Sequence, residues 1–469
     1  MRYKKLTILP LCLSAIISTG AKDNGYLDKK LPEKWSYESP FTQTIPTEDN
    51  WWKCLDDNLL DSLIYEGVQN NYNLMMAARR ITIARQNLNN ARSQYLPYFD
   101  LNASWNKVRS SGMNGTTGTQ PSAADYFSMG INMSWQIDLF GKITSQAREK
   151  KALWQASQAQ YAGAMITLCS EIAKTYAQLR TWQAEWVVAQ EHITSQHKIV
   201  KLTEARHEAG IASMLDVTQA RLVYYSTCAS VPSLETSISS AINSLAILIG
   251  VYPDSLTSEL SSVKPLPEYR HIVATGIPME LLRRRPDIAE SEFQIASYAA
   301  ALGVAKKEFL PALALNGSIG TEAHHTGDLF RNRSLTYSIT PTLTWTIFDG
   351  FSRRYSTIAA REQMEMAVES YNLTVMTAVE EADNAMTSYV NSLRHIDLLD
   401  NVISQSRKSL ELSVDLYKRG LAQFSNVVDA QMSLLENQNS LIMAQGQALT
   451  SLITLYEALG GGWETGRLQ

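Results

Sequence analysis

Four segments of the chain alternate strictly between apolar and polar residues. In the first, Phe99, Leu101, Ala103 and Trp105 interleave with Asp100, Asn102, Ser104 and Asn106. The second sets Phe127, Met129, Ile131, Met133, Trp135, Ile137 and Leu139 against Ser128, Gly130, Asn132, Ser134, Gln136 and Asp138. The third is shorter, with Leu313, Leu315 and Ile319 against Ala314, Asn316 and Ser318. The fourth places Leu335, Tyr337, Ile339, Leu343, Trp345 and Ile347 opposite Thr336, Ser338, Thr340, Thr342, Thr344 and Thr346. A period of two predicts strands with one face in an apolar medium and the other against water or a polar lumen. About ten alternating residues let a tilted strand cross a bilayer core. The connections Ser110 to Ala123 and Gly320 to Asn332 have the Gly, Ser, Thr and Asn content of exposed loops. Tyr98, Phe140 and Phe348 sit near strand ends, where interfacial aromatics belong. Four strands cannot close a barrel, and open edges are not tolerated in hydrocarbon, so several chains must pool their strands.

Between the strand pairs the pattern turns helical. After Gly141 the run to Ala209 holds no proline and one glycine, Gly163, and after Gly350 the run to Arg419 holds neither. At 1.5 Å per residue each run extends roughly 100 Å. The last run repeats every seven residues at Val427, Leu434, Leu441, Ala448 and Leu455, matched in the first half by Val217, Tyr224, Val231, Ile238 and Leu245. A sustained period of seven predicts coiled-coil packing. Pro232 lies inside the first of these runs and predicts a kink or break. Gly210 and Gly420 separate the long runs and predict helix-ending, chain-reversing turns.

These periods occur twice. Trp135 and Trp345, Gly210 and Gly420, and Gly250 and Gly460 are each 210 positions apart. The expected organisation is a signal peptide at 1–20, an N-terminal extended segment at 21–60 and repeat 1 at 61–250. That repeat has its strand hairpin at about 98–139 and its helical tip at 210. A linker at 251–274 leads to repeat 2 at 275–460, with its strand hairpin at about 312–348 and its tip at 420, and a tail at 461–469. Arg2, Lys4 and Lys5 before the apolar run Leu6 to Ile17 and the small residues Ser18 to Ala21 carry the signal assignment.

Composition excludes more than it adds. A net charge of −4 over 469 residues argues against a nucleic-acid partner. Cys54, Cys169 and Cys228 have neither disulfide nor zinc spacing and are expected as semi-buried thiols on helices. His324 and His325 sit in a Gly-containing loop with only Glu322 and Asp328 near in sequence, so no metal site is expected. Arg283, Arg284 and Arg285 are expected to cap and solvate the helix beginning at Pro286-Asp287. No nucleophile–base pair or phosphate-binding glycine loop is visible, so neither an enzyme nor a cofactor is expected.

Several stretches together carry a resemblance to a known family. They are Trp51-Trp52 leading into Asp56-Asp57-Asn58-Leu59, then Leu282-Arg283-Arg284-Arg285-Pro286-Asp287-Ile288, then Leu310-Pro311 before a strand. The last is Tyr417-x-x-Gly420-Leu421 followed by Val427-Val428-Asp429-Ala430. The chain resembles the TolC-type outer-membrane efflux proteins, in the branch that serves tripartite multidrug pumps. The resemblance implies a mixed α and β fold. Four strands per chain would pool in a homotrimer into one transmembrane β-barrel, continuous with a long periplasmic α-helical coiled-coil barrel closed at its far tip. It implies a passive exit duct in the outer membrane of a Gram-negative bacterium, surrounded by outer-membrane lipid. Its implied partners are a periplasmic adaptor (membrane fusion) protein and an inner-membrane transporter of the RND type. The outer-membrane duct of a one-step protein secretion system is the alternative within the family, and a secreted coiled-coil scaffold the alternative outside it. Members of this branch often carry a lipidated cysteine after the signal peptide, where this chain has Ala21.

The same resemblance places a gate near the tips. Asp216, Asn426 and Asp429 map to the narrow aperture, with Asn426 standing where the family often has a carboxylate, and Tyr417 maps to a tyrosine that latches the closed state. Asp216 and Asp429 also fall in the first turns after the tips, where carboxylates meet a favourable helix dipole. Gly210, Ile211, Ala212, Gly420, Leu421 and Ala422 are the candidates for adaptor contact.

Overall fold

The computed structural model describes residues 51–109, 123–267 and 284–461, together with 27, 32, 35, 41–42 and 273–274. The expected signal peptide, position 21, most of the first hairpin loop, Leu282 and Arg283, and the tail after 461 lie outside the described residues.

The alternating segments form strands β2 (Tyr98–Arg109), β3 (Ala123–Ile137), β5 (Ala312–Ala323) and β6 (Leu335–Thr344). They make one antiparallel sheet in the order β2-β3-β5-β6. Its register aligns like with like. Leu101, Ile131, Ile319 and Tyr337 cross the sheet on one face, and Asn102, Gly130, Gly320 and Thr336 cross it on the other. On the apolar face Leu101, Trp105, Ile339 and Leu343 are all exposed, and no protein layer covers them. The polar face is laced by side-chain bonds, including Asn132 Nδ2 to Asp100 Oδ2 at 3.0 Å and Ser318 to Ser338 at 2.8 Å.

Two strand limits differ from the pattern. β5 continues past Gly320 to Ala323 because β3 still pairs with it there, Phe127 facing Ala323. β6 stops at Thr344 rather than running to Ile347. Its last pair is Ala312↔Thr344, so the next position would face Pro311, which has no N–H to donate. The backbone carbonyl of Thr346 instead accepts from Arg353 Nη2 at 2.5 Å.

The repeat recurs at both strand–helix junctions. Trp135 Nε1 donates to the Tyr95 carbonyl at 2.8 Å, and Trp345 Nε1 donates to the Phe309 carbonyl at 3.0 Å. Each tryptophan clasps its own repeat's entering helix to its outgoing strand. Asp138 then caps the first long helix through the Ile143 and Thr144 amides, and Asp349 caps the second through Arg353 N.

The helices are α1 (Asn58–Asn70), α2 (Tyr72–Ser93), α3 (Lys142–Glu208), α4 (Met214–Ile249) and α5 (Pro253–Leu260), followed by α6 (Pro286–Lys307), α7 (Ser352–Lys418) and α8 (Phe424–Ala458). α3 and α7 each span 67 residues, roughly 100 Å. None of the described helices is long and apolar enough to cross a membrane. Pro232 does not break α4, which is continuous through it. The proline is exposed, and buried Val223, Thr227, Ala241 and Ile242 hold the helix on either side.

The segment expected as extended to residue 60 contains a 3-10 turn at Trp51–Leu55 and the start of α1 at Asn58, capped by Asp57. The linker holds α5 and strand β4 (Val273–Ala274), which pairs in parallel with β1 (Phe41–Thr42). These pieces wrap the middle of the helices and enclose the main core, where Ile64, Ile172, Tyr176, Leu245, Met386, Tyr389, Ile453 and Leu455 are fully buried. Arg180 of α3, also fully buried, ties this belt together. It donates to Gln183 Oε1, to the Ser262 carbonyl at 3.0 Å and to the Tyr176 hydroxyl at 3.0 Å, and Tyr176 donates onward to Asp57 at 2.6 Å.

The basic run does more than cap and solvate. Arg285 precedes α6, but its side chain is only 11% exposed and makes a two-pronged pair with Asp287 at 2.7 and 3.0 Å. It also bonds Glu381 of α7 at 2.7 Å and the Ala458 carbonyl of α8 at 3.1 Å. Burial opposes its charge, yet Asp287 and Glu381 outweigh that and raise its pKa. Of the three thiols expected as semi-buried, Cys169 is fully buried and pushed up to about 12 by burial.

Gly130 and Gly320 face each other across β3 and β5. A Cβ on Gly320 would lie 2.6 Å from the Met129 carbonyl oxygen, so neither strand has room for a side chain. Gly320→Val is expected to abolish heat-stable oligomers on gels while Thr321→Val on the opposite face leaves them intact.

Candidate functional site at the helical tips

α3 and α7 end in the same geometry. Ala209 and Arg419 close the helices, and Gly210 (φ +71°) and Gly420 (φ +75°) take the left-handed conformation. The Gly210 amide donates to the His207 carbonyl at 2.9 Å and the Ile211 amide reaches back to Arg206 at 2.8 Å. At the second tip the Gly420 and Leu421 amides reach Tyr417 (3.0 Å) and Leu416 (2.9 Å). This paired closure satisfies the last helical carbonyls and needs the positive φ that glycine adopts without cost. Nothing lies within 4 Å of an added Cβ at either glycine, so the backbone alone dictates the residue. The turns hold Ile211 (66% exposed) and Leu421 (73% exposed) out into solvent, with Ala212 and Ala422 half-buried behind them.

Below the turns the two tips are joined side by side. Tyr417 of α7 donates its hydroxyl to Asp216 Oδ2 of α4 at 3.1 Å. The other carboxylate oxygen, Oδ1, accepts from Ser213 Oγ at 2.7 Å, and Ser213 Oγ caps the Asp216 amide at 3.2 Å. The Arg206 guanidinium lies over the Tyr417 ring, 5.0 Å from its centre, and donates to the Lys418 carbonyl at 2.9 Å. Phe424 meets Tyr417 edge-on at 5.1 Å, and both rings pack with Val200, Ala220 and Val427 in a small apolar cluster. Burial and then the bond to Asp216 raise the Tyr417 pKa above its ordinary 10.0.

Of the four expected aperture residues, Asp216 and Tyr417 are brought into direct contact. Asn426 and Asp429 stand exposed on α8, outside that network. Asp216 lies in the first turn of α4, and Asp429 one turn further into α8. The sequence reading missed Arg206, Ser213 and Phe424. Ser213 and Asp216 carry the serine-then-acid spacing of a capping box, and Arg206 is a cation in the last turn of a helix, so both had a legible signal. The two tips are not equivalent, because Ser213 caps α4 whereas Gln423 makes no side-chain cap on α8.

The family described as "Outer membrane efflux protein" matches residues 63–251 and 277–461. Among curated relatives, the pyoverdine export outer membrane protein OpmQ of Pseudomonas aeruginosa is 28% identical over 474 residues, covering 100% of this chain and 98% of its own. Nodulation protein T of Rhizobium leguminosarum bv. trifolii is 26% identical over 433 residues, 92% of each. Among solved structures, the outer-membrane channel OprN aligns with a TM-score of 0.87 at 28% identity, covering 93% of this chain and 98% of that one. The outer membrane protein VceC of Vibrio cholerae aligns at 0.81 and 28% identity, covering 89% and 100%.

A hydrogen bond of this kind contributes about 1 kcal/mol, or roughly a fivefold change in equilibrium. Tyr417→Phe is therefore expected to favour separated tips by about that factor, read as the distance distribution between spin labels on the two tips. The pH dependence follows from the raised tyrosine pKa. The stabilisation is fully present below pH 10 and is lost as pH rises through the higher folded value. The wild-type tips are expected to separate more as pH climbs above 10, and the Tyr417→Phe tips to lose that response.

Proposed function

The chain belongs to the outer membrane efflux protein family, and from that premise we propose that it is the trimeric exit duct of a tripartite pump, gated at its helical tips. It resides in the outer membrane with its helical tunnel in the periplasm. The observation that carries the reading is the sheet, which has an uncovered apolar face and two unpaired edges, β2 and β6, on a chain whose remaining mass is two long helical hairpins. Those edges are tolerable in hydrocarbon only when joined to neighbouring copies. Three chains contribute twelve strands, a closed barrel of ordinary size.

Solutes then move through the tunnel without covalent chemistry, so the protein acts as a duct rather than a catalyst. Asp216, Tyr417 and Arg206 hold the two hairpins of one protomer together at the closed end. Asp429 and Asn426, exposed on α8, line the aperture, where Asp429 favours cations and the neutral Asn426 adds no charge. Opening requires the Tyr417–Asp216 bond to break while the belt around Arg180 stays assembled. The exposed pair Ile211 and Leu421, carried on Gly210 and Gly420, is the surface that a periplasmic adaptor grips, with Ala212 and Ala422 behind it. An inner-membrane transporter, of the RND type, delivers the cargo and supplies the energy. Relatives bear names for export of pyoverdine, toluene and solvents, which supports small molecules as the cargo class.

Ile211→Glu with Leu421→Glu is expected to abolish resistance to toxic small molecules in a host that depends on this duct, while heat-stable trimers persist on gels. Retained resistance with intact trimers would reject the tips as the coupling surface.

A further inference from the structure

The polar face of the sheet becomes the barrel interior if the chain is a duct, and the inference below rests on that reading. On the described strands this face carries Asn, Ser, Thr, Gly and Ala, two tyrosines, one valine and one glutamine, and two full charges. Both charges are carboxylates. Asp100 sits in the row Asp100–Asn132–Ser318–Ser338, and Glu322 in the row Ser104–Ser128–Glu322. Four residues of β3 separate the rows, about 13 Å at 3.3 Å per residue. Between them lies the row containing Gly130 and Gly320, which projects no side chain from the middle two strands. No lysine, arginine or histidine faces the interior from the described strands. Lys107 and Arg109 fall on the opposite face, and Lys107 lies 3.9 Å from Asp125 there.

The cations at the base of the sheet do not offset these carboxylates. Lys142 pairs with Glu308 at 3.3 Å, Arg353 pairs with Asp349 at 2.7 Å, and Lys307 donates to the Gly141 carbonyl at 2.8 Å. Asp100 is also held in place by Asn132, so its charge stays at a defined height rather than swinging with a mobile side chain.

We infer that the barrel interior is itself a cation-favouring filter, set by Asp100 and Glu322 and separate from the aperture at the tips. Three chains place two rings of three carboxylates on an interior face whose other residues, on the described strands, are neutral. Twelve strands about 4.8 Å apart and tilted about 40° give a backbone radius of roughly 12 Å. The Debye length is about 10 Å at 0.1 M salt, so the rings reach the channel axis at or below that ionic strength and are screened above it. A neutral wall of hydroxyls and amides supplies hydrogen bonds to either charge sign, which leaves the carboxylates to decide between them. The favoured cargo class is a cation or a zwitterion with an exposed ammonium or guanidinium.

The test is reversal potential under a KCl gradient in planar bilayers, with full-length trimers. The tip acids are first neutralised by Asp216→Asn with Asp429→Asn, so that their contribution is removed before the barrel substitutions are read. This protein is expected to keep a preference for K⁺ that strengthens as salt is lowered. Adding Asp100→Asn and Glu322→Gln should take the ratio of K⁺ to Cl⁻ permeability toward unity, and Asp100→Lys with Glu322→Lys should invert it. Unitary conductance and heat-stable trimers establish that each variant has assembled. Hexaamminecobalt(III) added on the barrel side should block the tip-neutralised channel and lose its effect in the barrel-neutralised one. A tip-neutralised channel already without preference, or a preference unchanged by the barrel substitutions, would overturn the filter and leave the duct standing. Failure of the wild-type protein to form channels would overturn the duct and the filter with it.

Discussion

A backbone N–H or C=O without a partner in hydrocarbon costs several kcal/mol, and the rest of this architecture answers to that cost. The four-stranded sheet satisfies its own interior strands, β3 and β5, but leaves one edge each of β2 and β6 unpaired. A chain with such a sheet has no stable place in a bilayer by itself. Assembly is thus a condition of insertion, and the interlocked register of Gly130 against Gly320 shows how closely the strands must approach to curve into a closed wall. The same condition explains the junctions. At the end of each repeat's second strand, a tryptophan donates its indole N–H to a backbone carbonyl of the entering segment, and an aspartate caps the first helical turn. Backbone groups released by the sheet are therefore taken up at once by side chains.

Below the membrane the governing force changes to burial of apolar surface. The two 67-residue helices are too long for one compact core, and their apolar contacts gather at separate levels. The large cluster at the belt includes pieces from both halves of the chain and from α1, with Arg180 and Arg285 adding hydrogen bonds across elements distant in sequence. The cluster at the tips is small, built on five buried residues. Between these levels α3 meets α8 through polar contacts, such as His192 to Gln438 at 2.6 Å. Such a distribution makes the belt the fixed part of the tunnel and the tips the part that a modest free energy can rearrange.

The two copies of the repeat share a fold and differ in how firmly they are held. α4 begins with a serine cap whose aspartate also receives Tyr417 from the other copy, while α8 begins without a side-chain cap. One acidic side chain thus serves its own helix and the neighbouring hairpin together. The sheet adds a charge arrangement of its own, in which Asp100 and Glu322 are the two charges on the polar face of the described strands.

Strict alternation in Phe99 to Trp105 and Phe127 to Ile137 was enough to read the strands and to separate their apolar face from their polar one, since side chains of a strand alternate between two faces. The long helices followed from the absence of proline and glycine, and the tips from Gly210 and Gly420, whose positive φ the structure bears out. The heptad period marked the packed faces before any contact was known. What local sequence did not determine were features set by a residue's opposite number. β6 ends at Thr344 because Pro311 would face the next position. α4 runs through Pro232 because buried side chains on both sides hold it. Arg285 is a buried clasp because Glu381 and Ala458, far along the chain, arrive beside it. At the tips, the sequence supplied Asp216 and Tyr417 as separate candidates, 201 positions apart, and only the tertiary meeting of the two helical hairpins turned them into one hydrogen bond. Periodicity is a property of neighbours along the chain and can be read there. Pairing between distant elements is decided when they fold against each other.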